Sequence, residues 1–215
     1  MAFKPKPTKK EVVTAFRTRE ILAAAREVME CRGVESATMD EIAHAAGIAK
    51  GTIYLYFQSK EDLLHALMSQ VGENLLRNLE DIAAAPLPPP EKLVRVLTLL
   101  LEYLEREQVL FPIYLRDFYR WLQRRGRGRF GYIQELEERI LGLISRCFAE
   151  GIEQGQFIPA DPRLLTYMLR GLVRAVGFYH LSQGRKKAIK EALPLLIRFA
   201  LTGFTRKPQE YEGRS

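Results

Sequence analysis

The sequence predicts an all-α protein: a small N-terminal three-helix domain followed by a larger C-terminal helical domain. Large apolar residues recur at three-to-four spacing along nearly all of the 215 residues, the period of a buried helix face. Helix-start and helix-stop residues punctuate that pattern at regular intervals. Only one stretch, Thr52-Ile53-Tyr54-Leu55-Tyr56-Phe57, has the β-branched and aromatic composition of a strand, and no second strand is available to pair with it.

Residues 1–10 hold four lysines and two prolines, and 1–13 read as a flexible basic arm. From Thr14 the pattern is helical, with Ile21, Leu22, Ala25, Val28 and Met29 on one face and Gly33 as C-cap. Thr38 followed by Glu41 is a capping box, opening a short helix whose apolar stripe is Met39, Ile42, Ala43 and Ala46. Gly47 breaks it. Ser59 with Asp62 marks another start, and a long helix is expected over 60–83 with Leu64, Leu67, Val71 and Leu75 inward. The segment "APLPPP" at 85–90 stops it, because proline lacks an amide and clashes inside a helix. Further helices are expected over 91–107, 109–124, 130–153, 161–182 and 185–204. Asp161-Pro162 pairs an N-cap with a first-position proline, and Pro194 predicts a kink in the last helix. The resulting domains are 14–60, then 61–207 with 61–84 as a linking helix, and a tail at 208–215.

The strand-like stretch is resolved by its surroundings. A lone strand would leave its backbone amides unpaired, whereas a helix over 50–57 buries Ile53 and Phe57, four apart, against the preceding short helix. Small Ala43 and Ala46 permit a close crossing. Helix 38–45, a turn at Gly47 and helix 50–57 then form a helix-turn-helix, whose second helix suits a DNA major groove. The residues left outward have fitting chemistry. Lysine, threonine and tyrosine donate to phosphates, Gly51 allows close backbone approach, and Leu55 suits a thymine methyl. An anonymous amphipathic hairpin is the plain alternative.

Thr38, Ile42-Ala43, Ala46-Gly47-Ile48, Lys50-Gly51-Thr52, Tyr54, Tyr56-Phe57, Lys60 and Leu63 together resemble the DNA-binding signature of the TetR-type (tetracycline-repressor-like) transcriptional regulators. Residues 19–25 and Gly33 are similar to that family's first helix, so the resemblance covers roughly residues 14–67. It implies a homodimeric, ligand-responsive repressor released from a palindromic operator by a small molecule. Separately, the lack of a signal peptide and of a membrane-length run reads as cytoplasmic, and with no nucleophile–base arrangement or zinc-type cysteine pair visible, no enzymatic activity, cofactor or metal is expected. The resemblance also implies residue roles. Thr38 would bond a phosphate at the cap of the second helix. Lys50, Gly51, Thr52 and Leu55 would face base edges or the nearby backbone, and Tyr54, Tyr56 and Lys60 would hold phosphates. Two positions depart from the pattern. Ala49 stands where Ser or Thr is usual, removing a helix cap worth about 1 kcal/mol, and Tyr56 stands where His is frequent.

Beyond residue 90 the resemblance lies only in length and helical character, and it implies ligand binding and dimerisation. The apolar stripes on the last two long helices supply dimerisation candidates: Leu165, Gly171, Ala175, Tyr179, Leu193, Ile197 and Leu201, with Gly177 also permitting close approach. Candidate ligand contacts are Phe111, Tyr114, Phe118 and Trp121, at helical spacing, with Met168 and Leu172; an aromatic stripe of this kind equally serves a core. Arg116 and Arg120 could hold an acidic ligand. Arg124, Arg125, Arg127 and Arg129 form a basic loop of open role.

Composition bounds the alternatives. Thirty-three basic against 26 acidic residues give a net charge of +7, which permits a non-specific nucleic-acid or anionic-surface binder as a second reading. Cys31 and Cys147 form no C-x-x-C pair, which speaks against a disulfide framework. No apolar run approaches membrane-spanning length. Glu41-x-x-His44 has di-iron spacing, but His65 and His180 lack the matching glutamate, so a helical di-iron enzyme is disfavoured.

Overall fold

The computed structural model describes residues 8–116, 131–184 and 189–205. They form two compact units, 1–70 and 71–215. Among the described residues the only β-pairing is an isolated bridge between Phe157 and Thr205.

The first unit holds α1 (Lys9–Arg32), α2 (Met39–Ala45), α3 (Lys50–Ile53) and the start of α4 (Lys60–Ala84). Helix α1 begins earlier than the expected Thr14. Thr8 and Glu11 form a capping box: the Thr8 amide donates to Glu11 Oε2 at 2.7 Å and the Glu11 amide to Thr8 Oγ1 at 3.3 Å. The same T-x-x-E signal read at Thr38 was present here, and it brings 9–13 of the expected arm into the helix. Gly33 ends α1 with φ 80°, its amide donating to Met29 O at 2.8 Å. Ile21, Leu22, Ala25 and Met29 are buried, with Ile42, Ala43, Ile53, Phe57, Leu63 and Leu67. The expected Ile42–Ala43 stripe and the Ile53–Phe57 anchor are therefore core.

The second unit continues α4 and adds α5 (Pro89–Arg106), a helical segment at 111–116, α6 (Gly131–Glu153), α7 (Pro162–Ser182), a 3-10 turn (Ile189–Ala192) and α8 (Leu193–Phe204). Asp161 caps α7 as expected, its Oδ1 accepting the Arg163 amide at 2.9 Å. The last helix differs from the expected single piece. Pro194 falls in the first turn of α8, where its missing amide costs nothing, so the chain breaks into a 3-10 turn and a helix instead of kinking. One core joins these elements. Phe148, Phe157 and Phe204 meet at ring-centroid distances of 5.5 and 5.3 Å. Lys92 is buried and satisfied, its ammonium donating to Ala83 O at 3.2 Å and Glu150 Oε2 at 2.9 Å, which ties the end of α4 to α6.

Candidate nucleic-acid interface

The turn between α2 and α3 is built by Gly47, whose φ of 66° is open to glycine without strain. The Ala46 amide bonds Ile42 O, the Gly47 amide His44 O, and the Ile48 amide Ala43 O. Helix α2 starts on Thr38, whose backbone amide and hydroxyl both donate to Glu41 Oε2, at 3.0 and 2.9 Å, while the Glu41 amide donates back at 3.3 Å. The Thr38 amide, then its hydroxyl, hold the Glu41 carboxyl below the usual carboxylate range, with Arg32 adding to this. The single Thr38 hydroxyl hydrogen is thus spent within the cap, so a phosphate bond from it requires exchange of partners. The carboxylate of the Glu41–His44 pair is likewise engaged in capping.

Helix α3 is shorter than the expected 50–57. It has four residues and no side-chain cap from Ala49. After Ile53 the chain tightens: the amides of Leu55 and Tyr56 donate to carbonyls three residues back, Thr52 O and Ile53 O, and Phe57 also bonds Ile53 O. With Ile53 and Phe57 buried, this tightened turn leaves Lys50, Gly51 and Tyr54 exposed, Thr52 and Tyr56 half-buried, and Leu55 82% exposed. A Cβ placed on Gly51 meets nothing within 4 Å, so no neighbour within the chain requires a glycine there. Lys50 pairs with Asp40 of α2 at 2.5 Å, and this hydrogen bond and charge raise the lysine above its ordinary range. Asp40 was not recognised from sequence; its i,i+10 relation to Lys50 is set only by the turn.

Lys60 corrects an expectation. Its ammonium donates to Val34 O, Glu35 O and Ala37 O at 2.8, 2.8 and 2.9 Å. An ammonium has three donors, and all three hold the loop between α1 and α2, leaving none for a phosphate.

In the second unit the candidates divide. Phe111 is buried and stacks on Tyr114 at 6.4 Å, with the Phe178 ring edge-on at 6.1 Å. Phe118, Trp121, Arg120 and the arginines at 124, 125, 127 and 129 lie outside the described residues. Leu172 packs partly buried against the core, but Met168 is 51% exposed and points away from it. Of the dimerisation candidates, Gly171, Ala175 and Tyr179 are exposed together on one side of α7. Leu165 is buried, and Leu193 and Ile197 pack partly buried against the core, so these three turn inward, while Leu201 is half-buried. Other outward apolar residues on these two helices are Leu164, Met168, Phe178, Leu195 and Phe199.

Sequence reading missed one polar cluster. Arg170 Nη1 donates to Glu137 Oε2 at 2.5 Å, and its Nη2 donates to the Tyr114 hydroxyl at 2.7 Å and Glu137 Oε1 at 3.4 Å. Arg170 is only 8% exposed. Burial pushes the Tyr114 phenol up to about 12 against the pull of the arginine charge, and the Glu137 carboxylate beside it raises the guanidinium. The available signal was an arginine in the inward series Thr166, Leu169, Val173, Gly177.

Comparison with known proteins agrees with this geometry. Residues 21–67, spanning α2, the turn and α3, match the bacterial regulatory proteins, tetR family. The chain is 28% identical over 158 residues to the fatty acid metabolism regulator protein of Bacillus subtilis, covering 72% of this chain and 78% of that one. It is 28% identical over 143 residues to the transcriptional repressor KstR2 of Mycobacterium tuberculosis, covering 66% and 70%. The structure of the fatty acid degradation regulator FadR from Bacillus halodurans superposes with a TM-score of 0.69 at 26% identity, over 86% of this chain and 98% of that one. With a family match centred on the helix-turn-helix and a fold shared with regulators of that family, residues 21–67 carry the DNA-binding region of the tetR family, and the chain as a whole is similar to its transcriptional regulators.

Proposed function

We propose that the chain is a homodimeric repressor that reads a palindromic operator and leaves it when a small molecule binds the second unit. Residues 14–60 are the reading head and 61–207 the effector and dimerisation domain of a cytoplasmic protein. The observation that carries this is the α3 turn, which anchors on Ile53 and Phe57 while holding Lys50, Gly51, Tyr54 and Leu55 outward. An apolar side chain as exposed as Leu55, beside a glycine that the fold does not need, is suited to a surface that closes on another molecule. Lys50, Gly51, Thr52 and Leu55 face base edges or the nearby backbone, Tyr54 and Tyr56 reach phosphates, and Thr38 lies at a phosphate.

Dimerisation is supported by the outward face of α7 and α8: Leu164, Met168, Gly171, Ala175, Tyr179, Leu195 and Phe199. A two-fold pair would set its recognition helices about 34–36 Å apart, one turn of duplex. Relatives named for fatty-acid regulation make fatty-acid-derived molecules the first effectors to try. Moving the population from 1:99 to 99:1 needs about 5.5 kcal/mol of differential affinity between the two states.

The test is selection of genomic fragments on the purified protein at roughly 150 mM salt, followed by footprinting. A protected palindrome that Tyr54→Ala abolishes supports the reading. Equal, salt-sensitive recovery of every fragment supports a non-specific binder.

A further inference from the structure

The second unit keeps charged and polar groups inside an apolar bundle. A buried ion pair contributes little more to stability than apolar residues of the same volume, so its chemistry calls for another use. A guanidinium has five N–H donors. In Arg170 the Glu137 carboxylate takes the two terminal nitrogens end-on, and the Tyr114 hydroxyl takes a second Nη2 hydrogen. None of these bonds uses the Nε–H. Further along the same inward stripe of α7, His180 is 6% exposed and its buried Nε2 is without a partner among the described residues. The ten residues from Arg170 to His180 span roughly 15 Å of helix, and the positions between them on that stripe are Val173 and Gly177. Gly177 is a notch: a Cβ there would lie 2.6 Å from the Phe111 ring and 3.1 Å from Leu104. The interior of α7 therefore offers a cationic donor, a slim apolar stretch filled by one ring, and a second polar atom.

We propose that Arg170, with Tyr114 beside it, anchors the carboxylate of an elongated apolar acid whose body lies along α7 in place of the Phe111 ring, its far end at His180. This rests on reading the second unit as effector-binding. Phe111 and Tyr114 are three residues apart on one helical segment, so head and body of the same ligand act on a single element.

The experiment is calorimetric titration of the full-length protein with linear carboxylates from octanoate to octadecanoate, the matching primary alcohols, and the matching acyl-CoA thioesters. Acids are expected to bind at least about tenfold tighter than alcohols, the contribution of one charge-assisted contact. Arg170→Gln is expected to erase that ratio. The double variant Arg170→Gln with Glu137→Gln, which leaves no lone buried charge, is expected to erase it too. His180→Leu is expected to keep the ratio and move the chain length of tightest binding. Equal binding of acids and alcohols overturns the proposal. So do a ratio that survives in both arginine variants, binding of thioesters alone, and no binding at any length. A protein that footprints its operator but ignores every acid loses this anchor and keeps its role on DNA.

Discussion

Three carbonyls converge on the ammonium of Lys60, and replacing it tests two roles at once. Lys60→Met is expected to destabilise the first unit by about 2 kcal/mol, since part-buried carbonyls lose their donor. It should leave unchanged the slope of DNA affinity against salt, which a lost phosphate contact would lower by about one. Thermal unfolding and salt titrations of binding separate the two. The family resemblance implied a phosphate ligand for this lysine. The acceptors, 23 to 26 residues earlier, become visible only once the loop is folded. The two thiols give a second expectation. Cys147 is buried and its thiol pushed up to about 11 by burial, whereas Cys31 is exposed. An aromatic disulfide reagent at neutral pH should titrate one thiol in the folded protein and two after denaturation, because only the thiolate reacts.

At the level of elements, α3 starts at the expected Lys50 without a side-chain cap and ends four residues early, at Ile53. Ala49 has the extended backbone of an N-cap, φ −66° and ψ 147°, but no side-chain oxygen. Ala49→Ser is expected to stabilise the protein by about 0.5–1 kcal/mol in denaturant unfolding. The departure at Ala49 was legible in the sequence, as were the Thr38–Glu41 box, Gly33, Gly47 and Asp161, because each acts within a few residues. Inward and outward sides of α7 and α8 were less so. In α8, Leu193, Leu195, Leu196, Ile197, Phe199 and Leu201 cover about two thirds of the circumference, so periodicity fixes a helix without fixing which side is buried. The fold buries Leu196, Ala200 and Phe204 and leaves Leu195 and Phe199 outside. Arg170 escaped notice for the converse reason. A charged residue is ordinarily assigned to solvent, and its partners Glu137 and Tyr114 stand 33 and 56 positions away.

For the whole molecule, the outward apolar face carries the clearest expectation. Phe199 is 63% exposed. Phe199→Glu is expected to give monomers in sedimentation equilibrium and to weaken operator binding about a hundredfold, by loss of the linked second half-site, while the helical signal stays unchanged. Phe199→Leu is expected to preserve both. The pair between Lys50 and Asp40 bears on a different property, the time needed to find one operator in a genome. The cation that would grip any phosphate is already held by a carboxylate, and that carboxylate repels every backbone it approaches. Random duplex is then expected to hold the protein only briefly and to leave sliding fast. A slower search over competing sequence, with tighter non-specific affinity, is the expected behaviour of Asp40→Asn in single-molecule tracking.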